Sequence, residues 1–232
     1  MAIKVKICGL RTEATVAAAL ASGADYVGLV FYPPSPRSVS PEDAANLAQL
    51  ARGRAQIVAL FVDPDETLLD EVIRKVEPDL IQLHGKETPE RVATIRRKYG
   101  RPVMKAISVE SSADADRALA YRDMVDLFLF DAKAPRDMTG ALPGGNGVAF
   151  DWRALDGVRG KVRFMLSGGL SPENVAEAIR LTEPEGVDVS SGVEVRPGEK
   201  DPDLIERFIA AAKGASDKVG PHAELELKDL RA

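Results

Sequence analysis

Cys8 is the only cysteine in the chain, and it closes a short apolar run, KVKIC, immediately before Gly9. A thiolate is a competent base. A lone cysteine is also a small hydrophobe, and its ordinary pKa of about 8.5 leaves little thiolate unless positive charge lies nearby. Asp131 ends a second apolar run, VDLFLFD. A carboxylate there reads as a helix cap, a solvated loop residue or, where desolvated, a general acid. Arg37 follows the proline-stiffened stretch YPPSP, where a guanidinium fork suits a carboxylate ligand as well as an open surface. His84, after IQL, fits a supporting or substrate-facing position better than that of a base. Two glycine-containing stretches, SGGLSPENV and DVSSGVE, hold Gly168, Gly169, Ser190, Ser191 and Gly192. Glycines let backbone N–H groups approach an anion, although each stretch alone is also an ordinary tight turn.

These residues share one property: each stands at the end of a predicted strand. Short runs rich in Val, Ile, Leu and Phe recur at 4–8, 26–31, 57–62, 80–83, 103–107, 125–130, 162–166 and 187–189, as expected of strands covered on both faces. Helical stretches lie between them. Ser40-Pro41, Thr88-Pro89, Ser171-Pro172 and Asp201-Pro202 each put a capping oxygen before a proline, with an acidic residue following, a pattern that predicts four helix starts. The stretch GGNGVAFDWRAL leaves little room for a sixth helix. Eight strand–helix units predict an α/β single-domain (β/α)8 barrel over residues 1–214, with 215–232 as a solvated tail or a short extra helix. An open doubly wound sheet is the competing fold, but CGLRTEA is not a dinucleotide-binding turn. In a barrel the carboxyl ends of all strands meet at one face, and loops seven and eight there commonly hold phosphate. The two glycine stretches in those positions therefore predict a phosphate site.

Composition narrows the classes. The chain has 232 residues, a net charge of -5 and 5% aromatics, which speaks against nucleic acid as partner. One cysteine forms no internal disulfide, and no long apolar run or leader-like segment stands out. The expectation is a cytoplasmic protein without a membrane partner, active as a monomer or homodimer. No His, Cys and carboxylate set has metal-ligand spacing, so no metal and no cofactor are expected.

Strand geometry adds one more expectation. Side chains alternate, so Lys6 shares a face with Cys8 and points inward one layer deeper. Strands one and eight are neighbours in a closed barrel, and Asp188 lies two residues before Ser190. A buried Lys6–Asp188 pair is expected beneath Cys8, favouring its thiolate; Asp126 is the alternative partner, and a bulge turning Lys6 into water the alternative outcome.

KICGL, YVGLVFYPPSPRSV, VALFVD, IQLHG, FDA, GGNGVAFDW, SGGLSPENV and VDVSSGVE together resemble the phosphoribosylanthranilate isomerase family over about residues 3 to 213. The resemblance implies a (β/α)8 fold and an Amadori rearrangement of a phosphosugar carrying an anthranilate. It implies Cys8 as general base, Asp131 as general acid and Arg37 facing the anthranilate carboxylate. Gly168, Gly169, Ser190, Ser191 and Gly192 match the phosphate loops, and His84 and Asp188 are grouped with the substrate-binding residues. Asn146 stands where the family usually carries a small hydroxyl residue. A histidine-pathway aminoaldose isomerase and a non-catalytic phosphosugar-binding barrel remain as rivals. The first would place a carboxylate at position 8, and the second would need neither Cys8 nor Asp131.

Overall fold

The computed structural model describes residues 2–134, 142–147 and 149–217. Eight parallel strands close in chain order, with the first hydrogen-bonded to the last. They are β1 Lys4–Cys8, β2 Tyr26–Phe31, β3 Gln56–Phe61, β4 Leu80–Leu83, β5 Val103–Val109, β6 Leu127–Ala132, β7 Phe164–Leu166 and β8 Gly186–Val189. The expected strands are all present. The sixth begins and ends two residues later than its apolar run suggests, so Asp131 lies within the strand. Alternation divides each strand between two cores. Val58, Leu80, Met104, Ala106, Leu127, Leu129 and Met165 fill the barrel, and a larger apolar shell packs the outer face against the helices.

Side-chain caps start the helices on that outer layer. α1 (Glu13–Ala21), α2 (Pro41–Ala51), α3 (Glu66–Val76) and α4 (Pro89–Tyr99) begin after Thr12, Ser40, Asp65 and Thr88. Each cap accepts from the N–H three residues on, at 3.3, 3.1, 2.8 and 3.3 Å. α5 (Ser112–Asp116) is short, and α6 covers Val175–Thr182. Asp201 starts α7 (Pro202–Asp217) by accepting from the N–H groups of Asp203 and Leu204.

Three expectations shift. Ser171-Pro172 does not open α6. Asn174 accepts from the Ser171 N–H at 2.8 Å and donates to the Gly169 carbonyl at 2.9 Å, folding 171–174 into a turn against the glycine loop. Between β6 and β7, the described residues hold a short 3-10 turn, Trp152–Leu155, in place of an α-helix. The last helix runs through Asp217, three residues past the expected boundary, and the tail from 218 lies outside the described residues. No helix among the described residues is long and apolar enough to cross a membrane.

The amino-terminal rim of the barrel is closed by a repeated device. Asp25, Asp79 and Asp126 each stand just before an even strand. Each accepts on a side-chain oxygen from a residue of the preceding odd strand: Val5, Ile57 and Val103, at 3.0, 2.8 and 2.9 Å. Asp126 also pairs with Arg96 at 2.7 Å, which removes it as a partner for Lys6. This rim is remote from the strand ends that carry the candidate chemistry. Asp79→Ala should therefore cost about 1 kcal/mol of stability, the usual net worth of one hydrogen bond, with turnover unchanged. Urea unfolding beside a rate measurement checks both halves; a variant as stable as the parent would remove the clamp from the account.

Candidate active site

The carboxyl ends of the strands surround a pocket with about 720 Å³ of open space. Cys8, Arg37, His84 and Asp131 all line it, as do Gly168, Gly169, Ser190 and Ser191 from the last two loops. Nearly every residue singled out in the sequence thus meets at one place. Gly192 is not on the wall. A Cβ there would lie 1.9 Å from the Leu170 carbonyl oxygen, so its work is to let the two glycine loops touch.

Cys8 is buried at the end of β1. Lys6 lies one layer beneath and donates to Asp188 at 2.8 Å, with side-chain exposures of 0% and 5%. Residues 6 and 188 are direct partners across the β1–β8 seam. Asp188 lines the pocket, but one oxygen faces Lys6 and the other accepts from Ser167 at 3.2 Å. It supports the floor of the site through its neighbours. Burial opposes the Lys6 charge, yet Asp188 and Cys8 outweigh it and hold the ammonium above the usual lysine range. For Cys8 the balance falls the other way. Burial pushes the thiol up, and Lys6, which pulls it down, recovers only part of that. The expected pair is present, but alone it does not make Cys8 a ready thiolate.

Asp131 faces Cys8's pocket from β6, buried at 3% exposure. One oxygen accepts from the Ala132 N–H at 3.0 Å, and the other lies 3.3 Å from His84 Nε2. On its far side His84 Nδ1 meets the Gln82 amide nitrogen at 3.2 Å. The ring thus stands between the Gln82 amide and the Asp131 carboxylate. The GGNG loop closes over both groups: a Cβ at Gly144 would lie 2.5 Å from Asp131 Oδ2. Asn146 braces this loop from within, accepting from the Leu142 N–H at 3.0 Å and donating to its carbonyl at 2.7 Å.

Arg37 is buried, and its guanidinium already has a partner. Nε and Nη2 donate to the two oxygens of Glu194, both at 2.8 Å, and Nη2 also reaches the Gly145 carbonyl at 3.1 Å. Among the described residues no hydrogen-bond acceptor is found for Nη1. Glu194 is held in turn by Lys200 Nζ at 2.5 Å. Burial opposes the Glu194 charge, but Arg37 and Lys200 keep its carboxyl below the ordinary range.

Glu194 and Lys200 belong to a two-stranded hairpin, β9 (Glu194–Arg196) and β10 (Glu199–Lys200), directly after the eighth strand. Sequence reasoning missed both, along with Gln82. Six of the ten residues in EVRPGEKDPD are charged, so the stretch looks like a solvated turn. A glutamate and a lysine six residues apart give no signal that they are buried together.

The two glycine loops lie at the pocket. Gly168 has φ +87°, and a Cβ there would lie 2.4 Å from the Ala132 nitrogen, so only glycine lets the loop pass β6. Among the described residues no carbonyl accepts from the N–H groups of Gly168 or Gly169, which leaves two donors beside the pocket.

A family model described as N-(5'phosphoribosyl)anthranilate (PRA) isomerase matches residues 5–211. The chain is 51% identical over 217 residues to the N-(5'-phosphoribosyl)anthranilate isomerase of Mesorhizobium japonicum, covering 94% of this chain and 98% of that one. It is 53% identical to that of Parvibaculum lavamentivorans, covering 93% and 100%. Among solved structures, phosphoribosyl anthranilate isomerase from Thermotoga maritima superposes with a TM-score of 0.82 at 40% identity, covering 91% of this chain and 99% of that one. A complex of phosphoribosyl anthranilate isomerase with reduced 1-(o-carboxyphenylamino)-1-deoxyribulose 5-phosphate gives a TM-score of 0.79 at 38% identity, with the same coverage.

The buried pair under Cys8 makes one sharp demand. Lys6→Met strands the Asp188 carboxylate in the barrel and should cost roughly 3 to 5 kcal/mol. Denaturant unfolding reads it directly, and a loss no larger than that of an exposed lysine would mean the pair is not closed in solution.

Proposed function

The chain belongs to the N-(5'-phosphoribosyl)anthranilate isomerase family, and on that premise we propose that it catalyses the Amadori rearrangement of N-(5-phosphoribosyl)anthranilate to 1-(2-carboxyphenylamino)-1-deoxyribulose 5-phosphate in tryptophan biosynthesis. The observation that carries the reading is that one pocket joins a thiol and a carboxyl from distant strands with an arginine and two glycine loops. A substrate with a phosphate at one end and an aryl carboxylate at the other requires those groups.

The chemistry follows from the placement. Asp131 gives its proton to the furanose ring oxygen as the bond from that oxygen to C1 breaks, and the anthranilate nitrogen supplies the electron pair that forms the iminium. Cys8, as thiolate, then takes the proton from C2. The C2–H electrons become a C1–C2 double bond, and the nitrogen recovers its pair. Tautomerisation of the resulting enolamine, with a proton added at C1 and the C2 hydroxyl proton released, gives the aminoketose. The iminium is the electron sink, so the residues carry out proton transfers and no redox step. Its positive charge also favours the Cys8 thiolate at the moment that the base is needed.

Arg37 Nη1 receives the anthranilate carboxylate, and the N–H groups of Gly168 and Gly169, with the Ser190 and Ser191 hydroxyls, receive the phosphate. His84 orients Asp131, and Asp188 holds Lys6 and Ser167 in place. Support for the ligand's shape comes from the related complex with reduced 1-(o-carboxyphenylamino)-1-deoxyribulose 5-phosphate. A cytoplasmic monomer or homodimer fits this role; a relative from Thermotoga maritima is described as dimeric.

Turnover of phosphoribosylanthranilate, followed as loss of anthranilate fluorescence, tests the reading. Cys8→Ser and Asp131→Asn should each lower kcat by at least ~10², while affinity for a product analogue survives. Near-normal turnover in a folded variant would take that residue out of the mechanism. Arg37→Lys should raise KM for this substrate, because an ammonium cannot hold both Glu194 oxygens and still face a carboxylate. An unchanged KM would assign Arg37 to structure alone.

A further inference from the structure

The buried charge around Cys8 does not cancel. Three cations stand at its end of the pocket: Lys6 beneath it, Arg37 from the β2 loop, and Lys200 behind Ser190. Only two carboxylates bond to them. Asp188 takes Lys6 at 2.8 Å, and Glu194 takes both Arg37 at 2.8 Å and Lys200 at 2.5 Å. All five side chains are at most 6% exposed, so water does little to screen them. Asp131 stands across the pocket against His84, outside this group of five. Within the group, one positive charge is left over.

Lys200 is also the cation that a hydrogen-bond chain joins to Cys8. Its Nζ donates to the Ser190 carbonyl at 3.1 Å and to the Ser190 hydroxyl at 3.2 Å. That hydroxyl donates to the Cys8 carbonyl at 3.2 Å. We propose that Lys200 and Glu194 are positioning residues for Cys8: Lys200 contributes the surplus positive charge that eases proton loss from the thiol, and Glu194 fixes its place while neutralising Arg37. The inference rests on the reading of Cys8 as the base. The Lys200 charge adds to the pull of Lys6, which Asp188 offsets in part and which burial of the thiol opposes. Among the charges acting on Cys8, Lys6 and Lys200 pull it down, and Asp188 pushes it up.

Cys8 is the only cysteine, so the rate of iodoacetamide alkylation against pH reads thiolate at that one atom without any turnover. Lys200→Met leaves Glu194 bonded to Arg37 through both oxygens and strips the surplus charge; alkylation at pH 7 should slow roughly threefold to tenfold. The double variant Glu194→Gln/Lys200→Met restores the charge count through Arg37 alone, and its alkylation should return to within about twofold of the parent. All forms should react alike at a pH where the thiol is fully ionised. Lys200→Gln replaces Lys200→Met if the latter fails to fold. An unaltered rate in the single variant would overturn the proposal. So would a double variant as slow as the single, which is what a merely structural hairpin predicts, or a difference that persists at high pH. Measured on the same proteins, kcat should follow the alkylation pattern; alkylation that shifts while kcat does not would sink the base assignment and leave the charge assignment standing.

Discussion

The Lys6–Asp188 pair is the constraint on which the rest depends. A closed barrel is complete only when its first and last strands meet, and here residues 182 positions apart in sequence become direct partners at 2.8 Å. Burying two charges is expensive, and their attraction repays the cost only in good geometry. This makes the pair a register mark. Slipping β8 by one residue would set Lys6 opposite Val187 or Val189 and bury an ammonium with no counter-charge. The correct closure also places Ser190 against the Cys8 carbonyl, so the seam and the active site are aligned by a single contact.

The two rims then follow different rules. At the amino-terminal rim, Asp25, Asp79 and Asp126 cap the odd strands in the same way three times, and nothing there lines the pocket. At the other rim, buried ion pairs hold the loops. Glu87 accepts from the Asp63 and Gly85 N–H groups and pairs with Lys105 at 3.1 Å, fixing the turn that carries His84. Glu194 does the same for the loop that carries Arg37. Buried ion pairs and hydrogen bonds thus hold the loops that carry His84 and Arg37, the kind of support that precise placement of chemical side chains requires.

What could be read from the sequence tracks how local the cause is. Strands covered on both faces leave unbroken apolar runs, and the caps at Ser40 and Thr88 act within three residues, so both were legible. The Lys6–Asp188 pair was legible because alternation and closure are general rules that need no coordinates. The start of α6 was not, because Asn174 folds Ser171 back onto the glycine loop, and this choice depends on tertiary contact with Gly169. Arg37 could be placed at the site from its loop, but not its bond to Glu194, 157 residues away. Glu194 and Lys200 looked like surface because their partners come from other elements. Charged residues are usually solvated, and only packing shows which ones are not.

The need for so many buried charges follows from the chemistry itself. An iminium on an open-chain sugar is exposed to hydrolysis, so the pocket must exclude water. Excluding water raises the thiol proposed as the base, since desolvation always favours its neutral form. A carboxylate beside the thiol would make this worse, and a single bare cation would be too costly to bury. Cations outnumbering carboxylates by one, each held by a carboxylate and one tied through Ser190 to the Cys8 backbone, meet both demands. Every buried charge has a partner, and the residual field still favours the thiolate. The same residual charge suits a substrate with anionic groups at both ends, so the charge count that helps the base also favours binding.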